Sequence, residues 1–80
     1  MKILVNINVD PSLLEEVCKS LVEMSEVMRA YEITGQYDVF LEMEVDSVED
    51  FRRILKEKIL GIDGVKLTES SVVLGVWKDQ

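Results

Sequence analysis

Residues Lys2 to Val9 alternate, with Ile3, Val5, Ile7 and Val9 on one side and Lys2, Leu4, Asn6 and Asn8 on the other. That period of two predicts a strand with one fully apolar face. Asp10-Pro11 follows as an N-cap with proline at the first helical position, where the missing N–H does no harm. Ser12 and Glu15 offer an alternative capping box and a slightly later start. From about Pro11 to Met24 the spacing lengthens: Leu14, Val17, Cys18 and Leu21 fall at i, i+3, i+4 and i+7, opposite most of Glu15, Glu16, Lys19 and Glu23. This is an amphipathic helix. Alternation returns over Val27 to Ile33, placing Val27, Arg29, Tyr31 and Ile33 on one face and Met28, Ala30 and Glu32 on the other. Thr34-Gly35-Gln36-Tyr37-Asp38 reads as a turn, with Gly35 permitting positive φ. The next strand sets Val39, Leu41, Met43 and Val45 against Phe40, Glu42 and Glu44.

Asp46 is the expected cap of a second helix, with Glu49 three residues on. Val48, Phe51, Leu55, Ile59 and Ile62 carry its apolar stripe, which Ile54 broadens, to about Leu60. Gly61 and Gly64 end it and turn the chain. Val65 to Trp77 forms a long last strand whose alternation breaks at Glu69-Ser70-Ser71 and at Val72-Val73-Leu74. A bulge or bend near the serines or near Gly75 accounts for the break. The order strand-helix-strand-strand-helix-strand, with right-handed crossovers, puts both helices on one face of a four-stranded antiparallel sheet. The expected class is therefore α+β, with a ferredoxin-like βαββαβ arrangement.

The sheet face without helices carries Leu4, Met28, Ala30, Phe40 and part of the apolar run in the last strand. A face meeting solvent would be more polar, so this pattern predicts dimerisation through the sheets. Scattered surface hydrophobes are the ordinary alternative. Length points the same way, because a chain of 80 residues buries only about 60% of its unfolded surface by itself.

Charge and composition mainly exclude. The formal net charge of −7, from 16 acidic and 9 basic residues, disfavours direct binding to nucleic acid or to anionic membranes. The basic residues between Arg52 and Lys58 are interleaved with Glu57 and read as a solvated helix face. No apolar run approaches the ~18 residues of a membrane span and no signal-peptide pattern is present, so the expected compartment is the cytoplasm. One cysteine excludes an internal disulfide framework, and there is no histidine, which removes the commonest general base and zinc ligand. Cys18 sits on an apolar stripe and reads as an inert core thiol. Met24, Met28 and Met43 read as gap-fillers, and Trp77 as an interface anchor. No nucleophile–base pair, phosphate loop or metal-ligand spacing occurs, so neither enzyme activity nor a cofactor or metal is expected.

Several segments together resemble the RAM domain, the effector-binding and oligomerisation half of Lrp/AsnC transcription regulators. They are Tyr31-Glu32-Ile33, the turn Thr34-Gly35-Gln36-Tyr37-Asp38, the strand Val39 to Val45, Gly61-Ile62-Asp63-Gly64-Val65 and Lys66-Leu67-Thr68-Glu69-Ser70. The resemblance covers about residues 2 to 76 of a single domain, residues 1 to 80, and Gly-x-Tyr-Asp is its most specific element. Family regulators also carry an N-terminal helix-turn-helix, for which these residues leave no room, so the chain looks like a stand-alone RAM protein. The resemblance implies α/β dimers that can assemble into rings, amino-acid binding between dimers, and mixed assembly with full-length Lrp/AsnC-type regulators. Any regulatory role would then be indirect.

An amino-acid ligand needs an anion for its ammonium, N–H or hydroxyl donors for its carboxylate and a shaped wall. The expected site is Asp38 for the ammonium, the backbone N–H groups around Gly35 and Gln36 for the carboxylate, the hydroxyls of Thr34, Thr68 and Ser70, and Tyr37 as a wall. Each has a structural alternative: Asp38 bonding within its own turn, Gly35 serving conformation alone, Tyr37 packing, and the hydroxyls decorating a strand edge. Three other functions stay open: an assembly partner without ligand, an ACT-like amino-acid sensor, and an enzyme of the dimeric ferredoxin-like kind.

Overall fold

In the computed structural model, which describes Met1–Gln80, strands β1 (Lys2–Val9), β2 (Val27–Glu32), β3 (Val39–Glu44) and β4 (Val65–Val72) form one sheet in the order β2-β3-β1-β4. Every neighbouring pair is antiparallel. Helix α1 (Leu14–Val22) joins β1 to β2, and α2 (Val48–Ile54) joins β3 to β4. This is the expected ferredoxin-like arrangement. The alternation in β1 and β3 turns directly into burial: Ile3, Val5, Ile7, Val39, Leu41 and Met43 meet Val17, Leu21, Phe51, Ile54 and Ile59 of the helical segments. No polar or charged residue is buried, so the core is held by apolar contact and not by specific polar bonds.

The helix ends differ in detail from the expected ones. Asp10 does cap: its Oδ1 accepts from the Ser12 N–H at 3.0 Å and from the Ser12 hydroxyl at 2.9 Å. The first turn, Pro11–Leu13, is 3-10, and α1 ends at Val22. The second cap is Ser47 and not Asp46. Ser47 is extended, at φ −157°, and its hydroxyl accepts the Asp50 N–H at 3.0 Å. Ser47→Ala is expected to lower stability by about 1 kcal/mol, read as a lower urea midpoint with unchanged m-value.

Past Ile54 the helix continues as a π turn, Leu55–Ile59, closed by the Leu60 N–H on the Leu55 carbonyl at 2.8 Å. The wider turn corrects the phase. The buried positions step from Ile54 to Ile59, five residues on, which the wider turn accommodates while leaving Lys58 exposed. The Lys58 ammonium reaches Glu26 at 3.1 Å, in the connector after α1. The Glu26 carboxyl is held below the ordinary value of 4.5, first by its own backbone N–H and then by Lys58, and its Oε1 has no hydrogen-bond partner. A carboxyl lowered in the folded state stabilises above its unfolded value and loses that contribution as pH falls through the lowered one. As pH falls from above the unfolded value of 4.5 through the lowered folded value, the wild type should therefore lose more melting temperature than Glu26→Gln.

Two corrections concern the strands. In β2, Val27 pairs with Met43 but Arg29 with Glu42, so Met28 is an extra, bulged residue. The bulge reverses the expected faces: Arg29 and Tyr31 stand on the open side of the sheet, and Ala30 and Glu32 on the helix side. Cross-strand contacts reward this. The Arg29 guanidinium lies 2.7 Å from the Glu42 carboxylate, and the Tyr31 and Phe40 rings are 6.3 Å apart between centroids. In β4 the irregularity is not at the serines, which pair regularly with Val5 and Leu4; it lies opposite Asn8 and Val9, where Lys66 is the extra residue. Strand β4 stops at Val72 because β1 has no residues left to pair with after Lys2, whose carbonyl takes the Val73 N–H at 3.0 Å.

The open face thus carries Leu4 and Phe40, half-buried, with Tyr31 and Leu67 exposed. A Lys2–Glu42–Arg29 charge cluster stands among them.

Candidate functional site at the turn between β2 and β3

The turn is pinned to the end of β1. Ile33 N–H donates to the Asp38 carbonyl at 2.9 Å, Asp38 N–H donates to the Ile7 carbonyl at 3.0 Å, and the Asn8 side-chain amide donates to the Gln36 carbonyl at 2.8 Å. The Asp38 carboxylate accepts the Val9 N–H through Oδ2 at 2.8 Å, at the point where the β1–β4 register shifts. Asp38 therefore does satisfy a backbone donor, though in a neighbouring strand and not in its own turn. Gly35 has φ +109° with open space where a Cβ would stand, so backbone conformation alone requires glycine there. The N–H groups of Thr34, Gly35, Gln36 and Tyr37 donate no backbone hydrogen bond. They form a run of available donors beside a carboxylate.

Tyr37 is half-buried in the turn. Burial first, and then the nearby Glu69 carboxylate, push its phenol above the ordinary value of 10. Glu69 registers with Asn6, which places it on the open face. Thr68 and Ser70 register with Ile7 and Val5 and so stand on the helix side of the same strand. The structure accordingly gathers residues 34 to 38 with Asn8, Val9 and Glu69, and sets Thr68 and Ser70 on the other side of an edge strand. Asn8 and Glu69 escaped the sequence reading, which weighed the hydroxyls of β4 by chemistry; strict alternation along Leu67, Glu69 and Ser71 was the signal that Glu69 shares a face with Asn6 and Asn8.

The chain encloses no pocket at this turn. A concavity of about 280 Å³ lies instead on α2 and its π extension and is lined by Glu49, Arg52, Arg53, Lys56 and Glu57. No hydrophobic residue lines it, and Arg53 is already paired with Asp50 at 2.8 Å and Glu57 at 3.7 Å, so it matches the solvated helix face expected there. Cys18 is half-buried against the core, where burial and then the Glu32 charge raise its thiol pKa and disfavour the reactive thiolate.

Residues 2–80 match the family described as the Lrp/AsnC ligand binding domain. An uncharacterised HTH-type transcriptional regulator of Pyrococcus furiosus is 33% identical over 72 residues, which cover 90% of this chain and 49% of that protein. The chain spans about half the length of the curated relatives it matches first. Among solved structures, AsnC of E. coli superposes with a TM-score of 0.93 at 25% identity, over 99% of this chain and 54% of that one. A transcriptional regulator of Neisseria meningitidis, solved as a complex with L-Met, superposes with a TM-score of 0.92 at 21% identity, over 98% of this chain and 52% of that one.

Proposed function

This chain belongs to the Lrp/AsnC ligand-binding domain family, and from that premise we propose that it is a non-catalytic effector-binding and assembly module for a free amino acid or a related small molecule. The observation that carries the reading is the turn itself. Four unbonded N–H groups stand next to Asp38, whose Oδ1 is left over once Oδ2 has taken Val9. Donors for a carboxylate beside an acceptor for an ammonium are the chemistry of a zwitterion. The L-Met bound to the Neisseria regulator supports the same ligand class.

Thr34, Gly35, Gln36, Tyr37 and Asp38 are the ligand-facing group in this reading. Thr68 and Ser70, on an edge strand, are open to a ligand or a second subunit approaching from the helix side. Because one protomer leaves the turn unenclosed, the wall comes from another copy, in a dimer through the open sheet face and in rings of such dimers. The module would act in the cytoplasm by mixed assembly with full-length Lrp/AsnC-type regulators, without touching DNA itself. No helix is long and apolar enough to cross a membrane.

A second reading, an assembly partner without ligand, draws on the Asp38–Val9 bond, which gives the carboxylate a structural task. A melting-temperature panel of the twenty amino acids separates the two. Ligand at a hundredfold its dissociation constant adds about 2.7 kcal/mol, and each kcal/mol moves a domain of this size by roughly 4–8 °C. The effector reading therefore expects at least one amino acid to raise the midpoint by many degrees. A flat panel at millimolar concentrations favours the ligand-free partner.

A further inference from the structure

Beyond β4 the chain runs Val73-Leu74-Gly75-Val76-Trp77; Val73 is half-buried, whereas the side chains after it are largely bare in their own protomer. Leu74 is 98% exposed, Val76 62% and Trp77 101%. These are among the most apolar positions in a chain of formal charge −7, and none contributes to the core. We infer that Leu74–Trp77 is an arm that crosses to a second copy of this chain and packs on its sheet surface, closing the dimer reciprocally. The inference rests on the sheet-to-sheet dimer proposed above and adds the element that holds it.

Three observations select a second copy as the occupant. The first is reach. Val73 is tied to the end of β1 through Lys2, so the arm departs from the rim of the open face. Four extended residues span about 13 Å, and packed sheets lie about 10 Å apart, so the arm is long enough to cross the gap. The second is area. A stable dimer buries roughly 800 Å² per partner. Leu4 and Phe40 are already half-buried, which leaves Tyr31 and Leu67 as the main exposed apolar contributors on the face. Trp77 alone adds roughly 150–250 Å². The third is charge. Two copies of the same sign repel, whereas Leu74, Gly75, Val76 and Trp77 are neutral and can approach without that penalty.

Trp77 is the sole tryptophan, so its fluorescence reports on the arm alone. The experiment measures acrylamide quenching of the full chain across a dilution series, with mass followed by sedimentation, for the wild type, Trp77→Ala (mass only) and the dimer-breaking Leu4→Asp. The arm predicts a wild-type dimer in which Trp77 is shielded, full quenching on dilution or in Leu4→Asp, and a dimer dissociation constant raised roughly thirtyfold or more by Trp77→Ala. Because Trp77 touches nothing in the protomer, that variant should keep its circular dichroism. A wild-type dimer with freely quenched Trp77 overturns the arm while leaving the dimer standing. A wild type that is monomeric throughout overturns the dimer reading and the arm with it. Shielding that persists in the Leu4→Asp monomer overturns the arm in favour of folding back on its own chain.

Discussion

Gly64→Ala is expected to lower the stability of this domain by roughly 2–6 kcal/mol, combining backbone strain with overpacking. Gly64 has φ +105°, and a Cβ built there would lie 2.9 Å from Leu13 Cβ and 3.0 Å from Val17 Cγ2. Leu13 and Val17 belong to the first helical segment, and Val17 is fully buried, so neither can withdraw without opening the core. The Gly64 carbonyl also accepts the Asp10 N–H at 2.8 Å, fixing the segment before β4 to the residue that caps the first helix. A domain of this length holds about 4–12 kcal/mol in total, so the substitution removes a large share. Gly35→Ala is the internal control. Its φ is similar, +109°, but nothing lies within 4 Å of the added atom, so only strain of about 1–3 kcal/mol applies. Urea unfolding of the two variants measures the difference as the cost of close approach between Gly64 and the first helix. Equal losses would contradict this account of the glycine.

Asp38→Asn is expected to abolish amino-acid binding while leaving the fold nearly as stable as the wild type. The asparagine side-chain oxygen can still accept the Val9 N–H that Asp38 Oδ2 takes at 2.8 Å, but it offers no charge to an ammonium. Asp38→Ala removes both roles at once. It leaves the Val9 N–H without its acceptor, at about 1–3 kcal/mol, so its loss of binding could arise from a displaced turn. The pair of variants separates the carboxylate's bond to Val9 from its proposed ammonium role: in the thermal panel, Asp38→Asn should show a near-normal midpoint and no ligand shift, and Asp38→Ala a lowered midpoint and no shift. A ligand shift that survives in Asp38→Asn would remove Asp38 from the ammonium role.

Much of the fold was legible because β1, β3 and the two helices bury one face each, and burial of one face writes a clean period into the chain. Ile3, Val5, Ile7, Val39, Leu41 and Met43 are where alternation puts them. Edge strands carry less information. Strand β2 is covered by neighbours on one edge only, so a bulge at Met28 costs little, and no pattern of apolar residues opposes it; the faces of Arg29, Ala30 and Tyr31 were read in reverse for that reason. Strand β4 tolerates Glu69-Ser70-Ser71 in regular pairing because its outer part needs no apolar face. The π turn at Leu55–Ile59 is a tertiary effect, visible only once Ile59 must meet the sheet. At the turn, glycine and aspartate were readable as residue types, whereas the bond from Val9 to Asp38 spans 29 positions and has no local signature. The same holds for Asn8 on Gln36 and for Glu69 beside Tyr37.

The turn between β2 and β3 is proposed to take a zwitterionic ligand. Its most direct test is calorimetric titration of the wild type, in its assembled form, with the amino acid that gives the largest thermal shift, repeated on Asp38→Asn. Saturable binding to the wild type and no measurable heat of binding for the variant are expected. Saturable binding of equal strength to both proteins, or no saturable binding of any amino acid to the wild type at millimolar concentrations, would contradict it.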